Sequence, residues 1–432
     1  MIMETVMRTK NEMKDSRVEW AGLIPKDWKS IKFKYLYSVK KAKMPSELFE
    51  DNSLIPYMSI DYIRNPSIQP IYAKEGDFCS KEDVLLLWDG SNAGEFIIIH
   101  PEGYAPSTTA IIKLKQGKLL KSFSDLYLKS LEMELKNNTK GMGIPHVNGE
   151  FLKNCIICTP SYSEQQVIAD YLYEKCSKID DIIAETKASI EEYKELKQAV
   201  IFEAVTKGLN KNVEMKESCV EGMGLIPQNW SVVRFIKVNY VRARLGWKGL
   251  KAEEYVDEGI PFLSAFNIIN NHLRWNCENY ITQERYDESP EIKLNVGDLV
   301  LVKDGAGIGK CARIDNMPLG KATVNSSLSV ITPSQLVDYR YEYYYFMSPL
   351  FQNIIARLKS GMGVPHLTQE SMKDIYLPCP PINDQIEIAE LLDDKVIELD
   401  SIISEKQSLI NDLESYKKSL IYEVVTGKRK VV

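Results

Sequence analysis

From Ser161 to Lys207, and again from Ile382 to Thr426, the chain runs for over forty residues without glycine or proline, and its apolar positions return in alternating steps of three and four. That spacing gathers them on one stripe of a helix, with charged residues between. In the second stretch the stripe is Leu392, Val396, Leu399, Ile403, Ile410, Leu413, Leu420 and Val424, interrupted at Lys406 and Lys417. In the first it is Leu172, Cys176, Ile179, Ile183, Ile190, Tyr193, Val200 and Ala204, interrupted at Thr186 and Lys197. Pro160 and Pro381 fit helix starts, and Gly208 and Gly427 fit helix stops. A helix of about 43 residues spans ~65 Å at 1.5 Å per residue, and a rod with one apolar stripe needs a partner to cover it. Because the interruptions coincide, the pattern predicts that the two helices pair with each other as an antiparallel coiled coil. An internal pseudo-two-fold then puts the globular parts at opposite ends. Packing of each helix onto its own globular core, or a seam for other proteins, is the plain alternative.

Between these helices the period changes. Val84–Trp88, Phe96–Ile99 and Ala110–Leu114 are short apolar runs separated by Asp89-Gly90 and Pro/Gly turns, which predicts strands. Leu299–Lys303, followed by Asp304-Gly305, and Ser329–Thr332 repeat the arrangement, and helices are expected near Asp125–Lys136 and Arg340–Lys359. The repetition extends to the letters. KDSRVEWAGLIPKDW (Lys14–Trp28) returns as KESCVEGMGLIPQNW (Lys216–Trp230), shifted by 202 positions. GMGIPH (Gly141–His146) returns as GMGVPH (Gly361–His366), and QQVIADYL (Gln165–Leu172) as QIEIAELL (Gln385–Leu392), both shifted by 220. AVIFEAVT (Ala199–Thr206) and SLIYEVVT (Ser419–Thr426) share that second shift. Two copies therefore agree at their ends and diverge in their middles, a shared frame that holds two different surfaces. The expected fold is α+β: a tandem duplication of a mixed α/β domain followed by a long helix. The boundaries are an N-terminal extension 1–13, a first domain 14–160, a helix 161–208, a second domain 209–380, a helix 381–427 and a basic tail 428–432.

Composition adds bounds. The 44% hydrophobic and 26% charged residues are those of an ordinary soluble protein. No apolar run approaches the roughly 20 residues of a membrane span, and the first twenty residues carry no signal-peptide core. Eight cysteines in 432 residues do not make a disulfide framework, so a cytoplasmic setting is expected. The net charge of −6 sits in the helices: 161–208 carries 6 basic and 10 acidic residues, and 381–432 carries 7 and 11. The middles are close to neutral, which permits a basic face on either.

Several motifs with chemistry attached fall short. Gly305-Ala-Gly-Ile-Gly-Lys310 lacks the first glycine and the Ser/Thr of a phosphate loop, and Cys311 stands in the hydroxyl's place; a turn between strands is the better reading. Cys155-Ile-Ile-Cys158 has no second pair to complete a zinc site and reads as buried strand cysteines. His146 and His366 hold equivalent positions and read as turn residues. The Asn-Pro-Pro-aromatic group of an amino-methylating enzyme is absent. The chain is expected to carry out no chemistry itself.

A duplicated frame, two dissimilar α/β middles, two long helices and no catalytic motif resemble the specificity subunit of type I restriction–modification enzymes. The resemblance runs from about Lys14 to Gly427. It is most specific in LPCPPINDQIEIAELL (Leu377–Leu392), with its paired prolines and glutamine-led helix start, and in the opening segments Val18–Trp28 and Val220–Trp230. Thr159-Pro160-Ser161 departs from the paired prolines. The resemblance implies that the middles are target recognition domains, each reading one half of a bipartite, asymmetric site in double-stranded DNA. It implies that the helices set the spacer and dock two methyltransferase subunits, and that translocase/endonuclease subunits join the complex. S-adenosylmethionine, ATP and magnesium would then belong to those partners, with no cofactor in this chain.

Side chains that can read base edges or hold phosphates are the candidates for DNA contact. In the first domain these are Lys40, Lys41, Lys43, Arg64, Trp88, Ser91 and Asn92. In the second they are Arg242, Arg244, Trp247, Lys248, Lys251, Asn267, Asn270, Asn271, Arg274, Lys303 and Lys310, with Trp247 among its basic neighbours the most suggestive cluster. Two other readings stay open: a specificity subunit whose partner fuses methyltransferase and nuclease, and a coiled-coil adaptor whose domains bind proteins. A stand-alone methyltransferase ranks below both.

Overall fold

The computed structural model describes residues 4–141, 143–243, 250, 252–305, 307–359, 366–372 and 374–432. The chain divides into two compact units, Met1–Thr186 with Ser408–Val432, and Lys187–Gln407. The division cuts through both long helices, so each unit holds one α/β middle and a part of each helix.

Both middles are built on the same four-stranded antiparallel sheet. In the first unit the order is Phe96–Ile97, Val84–Leu87, Thr109–Leu114, Tyr37–Lys41; in the second it is Cys311–Arg313, Leu299–Val302, Leu328–Pro333, Asn239–Ala243. All four residues of Val84–Leu87, and all four of Leu299–Val302, are buried, which is why these strands read as unbroken apolar runs. A smaller sheet with one parallel pairing lies beside each: Tyr57 opposite Tyr104 in the first unit, Phe262 opposite Thr323 in the second. The helix Lys121–Asn137 serves the first unit; Tyr339–Met347 and Pro349–Lys359, broken at Ser348-Pro349, serve the second. The glycine-rich segment after Leu299–Val302 is a hairpin turn to Cys311–Arg313, as expected. Cys155 and Cys158 are buried, and burial pushes the Cys155 thiol up to about 12.

The repeated letters make one kind of joint. Gln165 and Gln385, near the starts of the long helices, are buried. Gln165 Oε1 accepts from Leu120 N (2.8 Å), and its Nε2 donates to Pro160 O (3.1 Å). Gln385 Oε1 accepts from Asp338 N (2.9 Å), and its Nε2 donates to Pro380 O (2.8 Å). Each helix start is thus hydrogen-bonded into the α/β middle that precedes it. The helix ends meet the repeated tryptophans. Gly208 and Gly427 have φ of +72° and +74°. A Cβ on Gly208 would lie 2.9 Å from the Trp230 ring, and one on Gly427 3.0 Å from the Trp28 ring and closer still to Pro25. Glycine is needed there for both conformation and space.

The long helices are Tyr162–Lys207 and Ile382–Val425, and they pair antiparallel. Leu172, Ile179, Ile183, Ile190, Leu392, Val396, Leu399, Ile410 and Leu420 are buried, and Val200, Ile403 and Leu413 are half-buried. The interruptions of the stripe have partners. Lys417 Nζ lies 2.5 Å from Asp180, and Lys197 Nζ 2.5 Å from Asp400. The 220-residue shift carries Asp180 onto Asp400 and Lys197 onto Lys417, so one ion pair occurs once in each unit. Lys406 Nζ stands 5.4 Å from the centre of the Tyr193 ring, and Thr186 bonds back to Ile182 O (2.7 Å).

Gly208→Ala and Gly427→Ala should each lower stability by about 1–3 kcal/mol, combining left-handed strain with a clash. Gly320→Ala, also at positive φ but facing open space, should cost only the strain; denaturant midpoints rank the three. A second expectation concerns Glu342, fully buried, whose Oε1 accepts from Asn239 and whose Oε2 has no partner. Burial raises its carboxyl from 4.5 to about 8, with the Asn239 bond opposing. The folded chain keeps a proton that the unfolded chain releases above about 4.5. That contribution is therefore full below pH 4.5 and lost as pH rises toward 8. Glu342→Gln should flatten the decline and stabilise the protein by roughly 1–3 kcal/mol at pH 7, measured as unfolding free energy against pH.

Candidate nucleic-acid interface

In each unit the central strand runs into the same turn: Trp88-Asp89-Gly90 in the first, Lys303-Asp304-Gly305 in the second. Backbone holds it from two sides. Trp88 N donates to Thr108 O (2.8 Å), and Trp88 O accepts from Val147 N (2.9 Å). Lys303 N donates to Ser327 O (2.9 Å), and Lys303 O accepts from Leu367 N (2.8 Å). An imidazole meets the acid of each turn. His146 Nδ1 is 2.7 Å from Asp89 Oδ1, and His366 Nδ1 bonds Asp304 Oδ1. Gly90 N donates to Pro145 O (3.0 Å), so the first histidine segment is laced to the strand end by backbone as well. Residues 361–365 of the second copy lie outside the described residues.

A lysine flanks each acid, but from a different place in the fold. Lys41, on the edge strand beyond Thr109–Leu114, puts Nζ 2.9 Å from Asp89 Oδ2; Lys303, on the central strand's own end, puts Nζ 3.3 Å from Asp304 Oδ2. Burial pushes the Asp89 carboxyl up, yet the Lys41 ammonium and the His146 imidazole outweigh it and hold it below the usual carboxylate range. Both imidazoles are about half exposed, and among the described residues no hydrogen bond reaches either Nε2. An imidazole oriented by an acid, beside an ammonium, is suited to hold an anionic backbone in place. Among the described residues no cluster of His, Cys, Asp and Glu could hold a metal, and no helix is long and apolar enough to cross a membrane.

The other first-domain candidates surround this turn unevenly. Trp88 is half-buried, its ring 3.2 Å from where a Cβ on Gly149 would stand. Ser91 and Asn92 are exposed just beyond it. Lys40 pairs with Asp77 (2.5 Å), whose other oxygen accepts from Lys43 N (2.9 Å); Arg64 pairs with Glu95 (2.9 Å).

In the second domain the candidates separate into two groups. Arg242 is turned inward, 3.0 Å from the buried Asp298, with Thr332 Oγ1 at 2.6 Å and two carbonyls accepting from it. The Asn267 amide is engaged within its own loop, bonding Ser264 N (2.9 Å) and Arg274 O (3.3 Å). Asn271 Oδ1 accepts from Cys311 N (3.2 Å). Asn270, Arg274 and Lys310 are exposed. Arg244, Trp247, Lys248 and Lys251 lie outside the described residues. Two features escaped the sequence reading. The letters show the histidines as repeated turn residues only, because the acids they meet lie 57 and 62 residues away. Phe266, 91% exposed, carried no signal at all.

Comparison with known proteins bears on both units. The family described as type I restriction modification DNA specificity domain matches residues 25–192 and 243–413. The type I restriction enzyme MjaVIII specificity subunit of Methanocaldococcus jannaschii is 30% identical over 398 residues, covering 88% of this chain and 89% of that one. The EcoBI specificity subunit of Escherichia coli is 22% identical over 341 residues, 76% of this chain and 69% of that one. Among solved structures, a chain from a study of complex assembly and conformational transition in the type I R-M system superposes with a TM-score of 0.68. It is 14% identical and covers 94% of this chain and 99% of that one, a likeness of fold.

The two groups of second-domain candidates should behave oppositely. Arg242→Ala strands the buried Asp298 and should cost about 3–5 kcal/mol of stability. Lys310→Ala and Arg274→Ala should leave stability unchanged. If they hold phosphates, each lowers the slope of log affinity against log salt by about one. Thermal unfolding beside a salt titration of DNA binding checks both.

Proposed function

The chain belongs to the type I restriction modification DNA specificity family, and from that premise we propose that each unit reads one half of a bipartite, asymmetric site in double-stranded DNA. The observation that carries the proposal is the repeated strand-end turn, equal in frame and unequal in side chains. Trp88 stands in one unit where Lys303 stands in the other, over the same Asp–His pair. Equal frames give equivalent docking to the phosphate backbone, and unequal side chains give two different sequences read.

The chain is the non-catalytic recognition subunit, and the chemistry belongs to its partners. In our reading, two methyltransferase subunits dock on the paired helices and bring S-adenosylmethionine; translocase/endonuclease subunits bring the ATP and magnesium sites. The acidic excess of the helices, −4 in each repeat-end segment, supports a protein-docking role there rather than a DNA-contacting one, because like charge repels a phosphate backbone. The helical pairing sets the gap between half-sites, since half-site spacing follows protein geometry.

The test is a methylome by modification-sensitive long-read sequencing, in cells that express the cognate methyltransferase with or without this chain. The expected result is one asymmetric motif of two separated halves, methylated only when the chain is present. Folded, associated proteins that methylate no new motif would remove the recognition role.

A further inference from the structure

Large apolar side chains left in water are ordinary when they lie flat on a surface. Phe266 does not: it is 91% exposed, on a short turn held by the side chains of Ser264 and Asn267. Ser264 and Asn267 cap each other reciprocally across Ala265–Asn267. Phe266 N donates to Ser264 Oγ (3.3 Å), Arg274 N to Asn267 O (2.8 Å), and Ala265 N to Ser327 Oγ (3.4 Å). The following hairpin closes through Asn270 and Asn271, both at positive φ, and Asn271 is bonded in turn by Cys311 N and the Tyr343 hydroxyl. A phenyl ring on so well-fixed a support is held ready for contact at little cost in ordering.

Its neighbours say what it meets. Ser327, which anchors Ala265, also accepts from Lys303 N, so the Phe266 turn adjoins the Lys303–Asp304–His366 cluster. Arg274, exposed, lies beside Asn267, and no salt bridge is formed by it among the described residues. A protein-binding anchor sits in an apolar patch. An aromatic ring among cations and amides instead suits a nucleic acid, whose bases offer faces between phosphates. The same frame position in the first unit, two residues after the capping Ser59, is the exposed Asp61.

We propose that Phe266 stacks on a base step of the half-site read by the second unit, as an apolar wedge where the first unit has Asp61 at the same frame position. The inference rests on the recognition role proposed above. It makes the two halves of the site unequal in shape as well as in sequence, because a wedge favours a step that unstacks readily.

The test uses the complex of this chain with its methyltransferase subunits, on a duplex carrying the motif found in the methylome. 2-Aminopurine is stepped through the second half-site. The wild type should brighten the probe at one step. Phe266→Ala should abolish that signal and weaken binding about tenfold with an unchanged salt slope, because no phosphate contact is lost. Phe266→Asp, which installs the first unit's residue, should weaken binding at least as much. Binding by Phe266→Ala equal to wild type overturns the proposal. So does lost affinity with no fluorescence change in the wild type, or lost association with the methyltransferase. A wild-type complex that selects no duplex overturns the recognition role itself.

Discussion

The arrangement depends on a joint in which a tryptophan occupies the space that a side chain on a glycine would need. Trp28 and Trp230 open the two copies, and each seats against the glycine that ends a long helix, Gly427 and Gly208 respectively. The helix that ends on Trp28 is not the one that follows Trp28 in sequence. Each α/β middle therefore holds the start of its own helix, through Gln165 or Gln385, and the end of the other. Antiparallel pairing is the only way one middle can grip both, and the seam then has no freedom of register. The ion pairs agree: Asp180 with Lys417 and Asp400 with Lys197 satisfy the same register in each unit.

With the joints common, the rest of each middle is free to differ. The cores show it. Where the first unit places Tyr37 Oη 2.8 Å from Ser124 Oγ, the second places Asn239 against the buried Glu342. Surfaces diverge further, and the Lys beside the strand-end acid comes from an edge strand in one unit and the central strand in the other. The same local charge reached by two routes is more informative than a repeated residue, since simple duplication does not account for it.

Much of this frame was legible in the letters. Periodicity marked both helices and their seam, and unbroken apolar runs marked both central strands. The paired interruptions at Lys197 and Lys417 pointed to self-pairing, although their part in the register was hidden, because the partner of each lies over two hundred residues away. The interface was less legible for the same reason. Arg242 looks like any basic residue until the buried Asp298, 56 residues on, is brought beside it. Asn267 and Asn271 are polar letters whose amides turn out to be turn-holding parts. Phe266 carries no signal in the letters, since an apolar residue after Phe262-Leu263 gives no sign that its turn faces outward.

One consequence concerns the order in which the protein is made. The Tyr422 hydroxyl donates to Trp20 O across 402 residues, and Thr5–Met7 pairs with Arg429–Val431. The unit whose sequence leaves the ribosome first is therefore completed last. At about 5–20 residues per second, Trp20 and Trp28 wait roughly 20 to 80 seconds for the residues that cover them. The second unit, Lys187–Gln407, is by contrast one continuous stretch of the chain. Throughout that interval the nascent chain carries the first lobe with its apolar joint open, a species for which chaperones and proteases compete.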